Sequence, residues 1–140
     1  NDAIRNRIMQ VFDTLHVNAA NPFSIAAFEA AYRDGETWLE ALRAYLHNSR
    51  TQVETFIAAY LPEISVIEAE GTYLLWLDCR AMHMTDTQLK HFFIHRADVG
   101  MNPGIQFGAE GSGFMRLNIA TPRKTLMMIL EKIKSARHSI

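Results

Sequence analysis

Arg116 is the residue whose type and place first suggest chemistry. It stands in the run Phe114-Met115-Arg116-Leu117-Asn118-Ile119, where Met115, Leu117 and Ile119 alternate with Phe114, Arg116 and Asn118. Alternation of this kind marks a strand with one apolar face and puts the guanidinium on the other face. A guanidinium in that place needs an anion or open water, because burying it unpaired is costly. Arginine grips a carboxylate through two parallel N–H···O bonds, which fix orientation as well as position. A clamp for a substrate carboxylate is one reading. A structural ion pair or an exposed edge strand is the plainer one, and the pattern alone favours it.

Other groups carry weaker signals. His91 and His95 are four positions apart and could share a metal on a helix, but Phe92, Phe93 and Ile94 lie between them and no glutamate follows the first histidine. The metalloprotease pattern is therefore missing, and a partly exposed pair is the better reading. Asp78-Cys79-Arg80 invites a nucleophile reading, yet no base stands nearby in sequence, so Cys79 reads as a small buried apolar group. Five of the seven glycines fall between Gly100 and Gly113. That stretch leads into a strand rather than a helix and lacks a Gly-Lys-Ser/Thr ending, so a phosphate cradle fits poorly. It reads as a flexible connector, or as a mobile loop at a ligand site.

These residues belong to a chain of 140 residues with 49% apolar and 21% charged residues, the balance of one folded domain rather than a disordered segment. Fourteen Lys plus Arg against fifteen Asp plus Glu leave a net charge of −1, which gives no electrostatic footprint for nucleic acid or an anionic membrane. No apolar run reaches the length of a membrane span. The single cysteine excludes an internal disulfide and a Cys-rich zinc site, and a reducing, cytoplasmic compartment fits it best. The first residue is not Met and the opening residues already look helical, so the chain reads as a piece of something longer.

The elements follow from periodicity. Ile4, Ile8, Val11, Phe12 and Leu15 share one helical face. Val17 to Asn21 is a connector, and Asn21-Pro22 caps and opens a second, alanine-rich helix that Asp34-Gly35 ends. A long helix runs from about Glu36 to Tyr60, with Leu39, Leu42, Leu46, Val53, Ile57 and Tyr60 on one stripe. At 1.5 Å per residue it would extend for about 40 Å, more than a small domain needs, as a helix tying two domains would. Its polar middle at Ser49-Arg50 is expected to be less buried. Ile64 to Val66 is a short strand. Tyr73-Leu74-Leu75-Trp76-Leu77 is continuously apolar, as a strand buried on both faces would be. Thr85-Asp86-Thr87-Gln88 has capping-box spacing and opens a helix carrying Leu89, Phe92, Phe93 and Ala97. Thr121-Pro122 caps a last helix with Leu126, Ile129, Leu130 and Ile133 toward the core, and Met127-Met128 reads as core filler or a docking face. The expected fold is α/β (α+β): a sheet of three to four strands covered by two helices, preceded by the long helix 36–60 and by N-terminal helices.

Two stretches are not generic: Glu70-Gly71-Thr72-Tyr73-Leu74-Leu75-Trp76-Leu77-Asp78-Cys79-Arg80, and Gly113-Phe114-Met115-Arg116-Leu117-Asn118-Ile119-Ala120-Thr121-Pro122-Arg123. In this order and separation they resemble the C-terminal, small-domain part of class I/II aminotransferase-fold enzymes that use pyridoxal phosphate. The branch they look most like is that of the cystathionine β-lyases, the cysteine C–S β-lyases. Ala30-Ala31-Tyr32 followed by Gly35-Glu36-Thr37-Trp38-Leu39, and Asn102-Pro103-Gly104 leading to Phe107-Gly108, resemble it too. The resemblance covers nearly the whole chain.

It implies that residues 1–35 are a helical tail of a large cofactor-binding domain and that residues 36–140 are the small domain with its connecting helix 36–60. It gives Arg116 the role of α-carboxylate clamp, makes that reading the favoured one, and puts Thr72 and Tyr73 on the substrate side. It implies pyridoxal phosphate as cofactor, an amino-acid substrate and a homodimer for the full-length enzyme. The four lysines, Lys90, Lys124, Lys132 and Lys134, match none of the family's cofactor-lysine context. This chain alone is therefore expected to bind no cofactor covalently and to be inactive. The reaction implied for the full-length enzyme is loss of a thiolate from a sulfur-containing amino acid, ending in pyruvate and ammonia. An aminotransferase proper, and a stand-alone binding module without cofactor, are the competing readings.

Overall fold

The computed structural model describes residues 1–17 and 21–138. They form two compact units, Asn1–Ala41 and Leu42–Ile140. The first holds helices α1 (Asp2–Thr14) and α2 (Pro22–Asp34) and the start of α3 (Glu36–Tyr60). Asn1 Oδ1 accepts from the backbone N–H of Ala3 and Ile4 at 3.1 and 3.4 Å, which satisfies donors that a helix start leaves without partners. Asn21 Oδ1 accepts from Phe23 N–H at 3.0 Å, with Pro22 at the first helical position, as the sequence suggested. Gly35 ends α2 where a Cβ would stand 2.3 Å from the Ala31 carbonyl oxygen, so no larger residue fits there without a shift. Of the connector expected over Val17 to Asn21, Asn18, Ala19 and Ala20 lie outside the described residues. The apolar face of α1 (Ile4, Ile8, Val11, Phe12 and Leu15) is exposed, and so are Phe23, Ile25, Phe28 and Tyr32 on α2.

The second unit contains the core. Its strands are β1 (Ser65–Val66), β2 (Leu74–Asp78), β3 (Asn102–Pro103) and β4 (Phe114–Asn118), in the order β1-β2-β4-β3 with every neighbouring pair antiparallel. Leu75 and Leu77 of β2 and Met115 and Leu117 of β4 are buried against helices α4 (Asp86–His91) and α5 (Arg123–Arg137) and the C-terminal half of α3. Val53, Phe56 and Ile57 come from α3, Leu89, Phe92 and Phe93 from α4 and the turn after it, and Leu126, Leu130 and Ile133 from α5. Thr85 caps α4 in a complete capping box: its Oγ1 accepts from Gln88 N–H, and Gln88 Oε1 accepts from Thr85 N–H. The helix then widens into a π turn over Phe92–Arg96, where Ala97 N–H donates to Phe92 O. That extra residue per turn lets adjacent Phe92 and Phe93 both enter the core, with ring centroids 5.0 Å apart.

Three expectations need correction. The middle of α3 is not less buried at Ser49, which is 0% exposed. Its hydroxyl donates to the Tyr45 carbonyl one turn back at 3.0 Å, so a polar residue sits in the packed stripe at little cost. Strand β2 is not buried on both faces. Leu75 and Leu77 are buried, whereas Leu74, Trp76 and Asp78 are partly exposed, because helices cover only one side of this antiparallel sheet. Thr121 does not cap α5: Pro122 is the N-cap residue and no side chain caps the helix. The Thr121 carbonyl instead accepts the Tyr45 hydroxyl at 3.0 Å and so ties the approach to α5 to α3.

Candidate functional site

The uncovered sheet face is where the chemistry collects. Register sets it. Trp76 of β2 pairs with Arg116 of β4, and Asn102 of β3 pairs with Arg116 from the other side. Residues directly opposite in antiparallel strands share a face. Arg116 therefore stands between Trp76 and Asn102 on the side away from Leu75 and Met115. Arg116 Nη2 donates to Asn102 Oδ1 at 3.1 Å, and its guanidinium carbon lies 4.5 Å from the Phe107 ring centroid. A cation over a ring contributes about 0.5–2 kcal/mol, more as water is excluded. Phe107 meets Trp76 edge-on at 5.4 Å, and Trp76 meets Phe114 edge-on at 6.4 Å.

No carboxylate lies within ion-pair reach of Arg116 among the described residues, and its Nε is buried without any hydrogen-bond partner. The structural ion pair that the alternation pattern allowed is absent. The carboxylate of β2 on the same face, Asp78, is taken: Arg80 Nε and Nη2 donate to it at 2.9 and 2.7 Å, and Arg80 backbone N–H at 3.0 Å. The Arg80 guanidinium holds the Asp78 carboxyl below the usual carboxylate range, against partial burial that opposes the shift.

The loop before β4 is built rather than loose. Pro103 leads into a 3-10 turn over Gly104–Phe107, and a second follows over Ala109–Gly111. The two turns cross at Gly104 and Gly111, where a Cβ on either would come within 2.3 Å or 2.1 Å of the other's carbonyl oxygen. Asp86 fixes the loop's end: Ser112 Oγ and Gly113 N–H each donate to its carboxylate at 2.8 Å. This packing delivers Phe107 to Arg116.

Thr72 and Tyr73 lie just ahead of β2, both exposed, and neither hydrogen-bonds to Arg116. Leu74 pairs with Asn118, so this pair stands at the end of the ladder beyond the Trp76–Arg116 step. Thr72 has φ +63°, an uncommon conformation for a β-branched residue, braced by its Oγ1 accepting from Leu74 N–H at 3.2 Å. Cys79 is fully buried, and burial pushes its thiol up to about 12, which fits the apolar reading. The His91 and His95 rings are 4.9 Å apart, and no group of three or more metal-ligating side chains occurs among the described residues. Nor is any helix among them long and apolar enough to cross a membrane. Sequence reasoning missed Asn102, Phe107 and Trp76 as site residues. All three stood in stretches already singled out, but Trp76 and Asn102 meet Arg116 only through strand pairing, and Asn102 is fourteen positions from it.

No family model matches the chain. A curated relative, cystathionine β-lyase PatB of Bacillus subtilis, is 35% identical over 116 residues, which cover 83% of this chain and 30% of the relative. Among solved structures, a pyridoxal phosphate-bound protein of Clostridium difficile 630, described there as an aminotransferase, superposes with a TM-score of 0.86 at 34% identity over 97% of this chain and 35% of that one. Cystalysin of Treponema denticola, whose structure contains pyridoxal 5′-phosphate, matches with a TM-score of 0.82 at 31% identity over 85% of this chain and 30% of that one. The chain is thus homologous to the small-domain region of pyridoxal phosphate proteins of aminotransferase fold. Within that class its homologues include the cystathionine β-lyases. It spans about a third of the length of these relatives.

The residues in hand do not fit a Schiff-base site beside Arg116. Lys90 lies on α4 and Lys124, Lys132 and Lys134 on α5, helices that pack on the opposite face of the sheet. Lys132 Nζ is 2.6 Å from Asp98, and Lys134 Nζ lies 4.0 Å from the Tyr60 ring centroid. What the uncovered face holds is the Arg116 guanidinium, bonded to Asn102 and lying over the Phe107 ring.

Proposed function

We propose that this chain is the small domain of a pyridoxal phosphate-dependent C–S β-lyase acting on sulfur-containing amino acids, and that Arg116 is its clamp for the substrate α-carboxylate. The observation that carries the reading is a half-buried guanidinium with no carboxylate partner, seated on an aromatic ring in an uncovered sheet face. Residues 1–35 would then be the tail of a larger cofactor-binding domain, with 36–140 the small domain and 36–60 its connecting helix. The cofactor would supply the electron sink for breaking the C–S bond, held by residues other than the four lysines here. Arg116 would hold the α-carboxylate in two parallel hydrogen bonds and so fix the orientation of the bonds at Cα and Cβ. Thr72 and Tyr73 would border the same ligand. A homodimer and a cytoplasmic location complete the reading for the full-length enzyme.

The second reading, an aminotransferase proper, is favoured by the description of the Clostridium difficile relative. Product analysis of the protein made from the gene's full reading frame separates the two. Release of pyruvate and thiol from L-cysteine conjugates without any keto-acid acceptor identifies a lyase. Turnover that requires a keto acid identifies an aminotransferase. Within either outcome, Arg116→Ala should raise KM for amino acids sharply, and an unchanged KM and kcat would remove Arg116 from the site.

A further inference from the structure

Arginine offers only N–H donors, five of them in one plane. In this site they are not equally free. Nη2 gives one hydrogen to Asn102 Oδ1 at 3.1 Å, Nε is buried with no partner, and the Phe107 ring covers the guanidinium at 4.5 Å. Two binding edges exist for a carboxylate: the side edge formed by Nε and one Nη, and the end edge formed by both Nη atoms. Burial of Nε closes the first, which leaves the end edge, with one Nη2 hydrogen already given to Asn102.

Asn102 is the polar group that sets the angle of that edge, and its chemical type matters. It is the cross-strand neighbour of Arg116 and could hold a guanidinium as well, or better, as aspartate. As asparagine it fixes the guanidinium without neutralising it. We propose that Asn102 is a positioning residue that presents Arg116 end-on to a ligand carboxylate while leaving its full charge for that ligand. This inference rests on the carboxylate-clamp reading of Arg116 and deepens it: the site is built for a monoanionic carboxylate taken by Nη1 and Nη2, with Phe107 stacked as the second support.

The protein made from the gene's full reading frame provides the test, with L-alanine and L-alaninamide as probes titrated by calorimetry. The readout is the dissociation constant of L-alaninamide divided by that of L-alanine, which isolates recognition of the carboxylate from every contact the two probes share. Arg116→Ala should bring the ratio close to one. Asn102→Ala should lower it about tenfold, by loosening the fork. Asn102→Asp keeps the size of the side chain and an acceptor oxygen, so a merely structural asparagine would be replaced without loss. The proposal expects the opposite: a lower ratio than for Asn102→Ala, with a thermal midpoint equal to or above the parent's. If Arg116→Ala leaves the ratio unchanged, the clamp reading itself fails. If Arg116→Ala abolishes the preference while Asn102→Asp keeps it, the clamp stands and the role given to Asn102 is wrong.

Discussion

A guanidinium that has one amide acceptor, one aromatic face and no carboxylate is an unbalanced arrangement, and the imbalance separates Arg116 from Arg80 in the turn after β2. Arg80, on the same open face, is balanced by Asp78 and lies 5.0 Å from the Phe114 ring centroid. If the fork of Arg116 and not merely its charge holds a ligand, Arg116→Lys should weaken L-alanine binding to the protein made from the gene's full reading frame at least about tenfold, because an ammonium cannot make two parallel bonds or stack on Phe107. Calorimetry would check this, and parent-like affinity in the lysine variant would reduce the site to a point charge. Cys79 carries the opposite prediction. Its thiol is fully buried and pushed up to about 12, so Ellman's reagent at pH 8 should leave it unmodified in the native chain and label it fully in urea. Rapid native labelling would mean that the β2 end opens. At this scale the sequence was legible wherever alternation alone decides the face, as for Arg116. It was not legible for Asn102, whose partner is set by pairing across strands, nor for Ser49, whose burial depends on a hydrogen bond to its own helix that hydropathy cannot register.

Elements explain why the site is where it is. The glycines between Gly100 and Gly113 read from sequence as a pliable connector, but the structure uses Gly104 and Gly111 to let two 3-10 turns cross in backbone contact. Their requirement is steric, which composition cannot distinguish from flexibility. Gly111→Ala would place a methyl 2.1 Å from the Gly104 carbonyl oxygen, so backbone must move in the segment that carries Phe107. The expected loss is at least about 2 kcal/mol of unfolding free energy, of the size seen when packed sites are overfilled. Urea unfolding measures it, and a midpoint equal to the parent's would show that the crossing is looser than described. The capping box was legible in full because Thr85 and Gln88 satisfy a local rule. The π turn after it was not, since it answers to the room available for Phe92 and Phe93. Thr85→Ala should cost about 1 kcal/mol by removing that cap, again read from the urea midpoint.

Two properties belong to the whole chain. The first is its response to acid. Glu63 is held below its usual range by its own backbone N–H and by Arg137, and Asp78 by Arg80. For a carboxyl whose folded pKa is depressed, the stabilisation is complete above the unfolded value, about 4, and disappears as pH falls through the folded value. Unfolding free energy should therefore be flat from neutral pH down to about 5 and decline below it. Glu63→Gln should reduce the slope of that decline, and an unchanged slope would remove the Glu63–Arg137 pair from the account. The second property is how the stability is distributed. Every buried apolar side chain of the core lies between Val53 and Ala136, while α1 buries no residue and the apolar side chains of α2 named above are exposed. Burial is what stabilises a helix in a folded chain, at about 25 cal/mol per Å² of apolar surface removed from water. Among the described residues, those of Asn1–Ala41 thus add exposed apolar surface and no buried apolar side chain. A chain beginning at Leu42 should unfold cooperatively with a urea midpoint close to that of the whole chain, and it should bind less of a hydrophobic dye such as ANS. A non-cooperative transition, or a large drop in midpoint, would show that residues before Leu42 are needed to hold the sheet on which Arg116 stands.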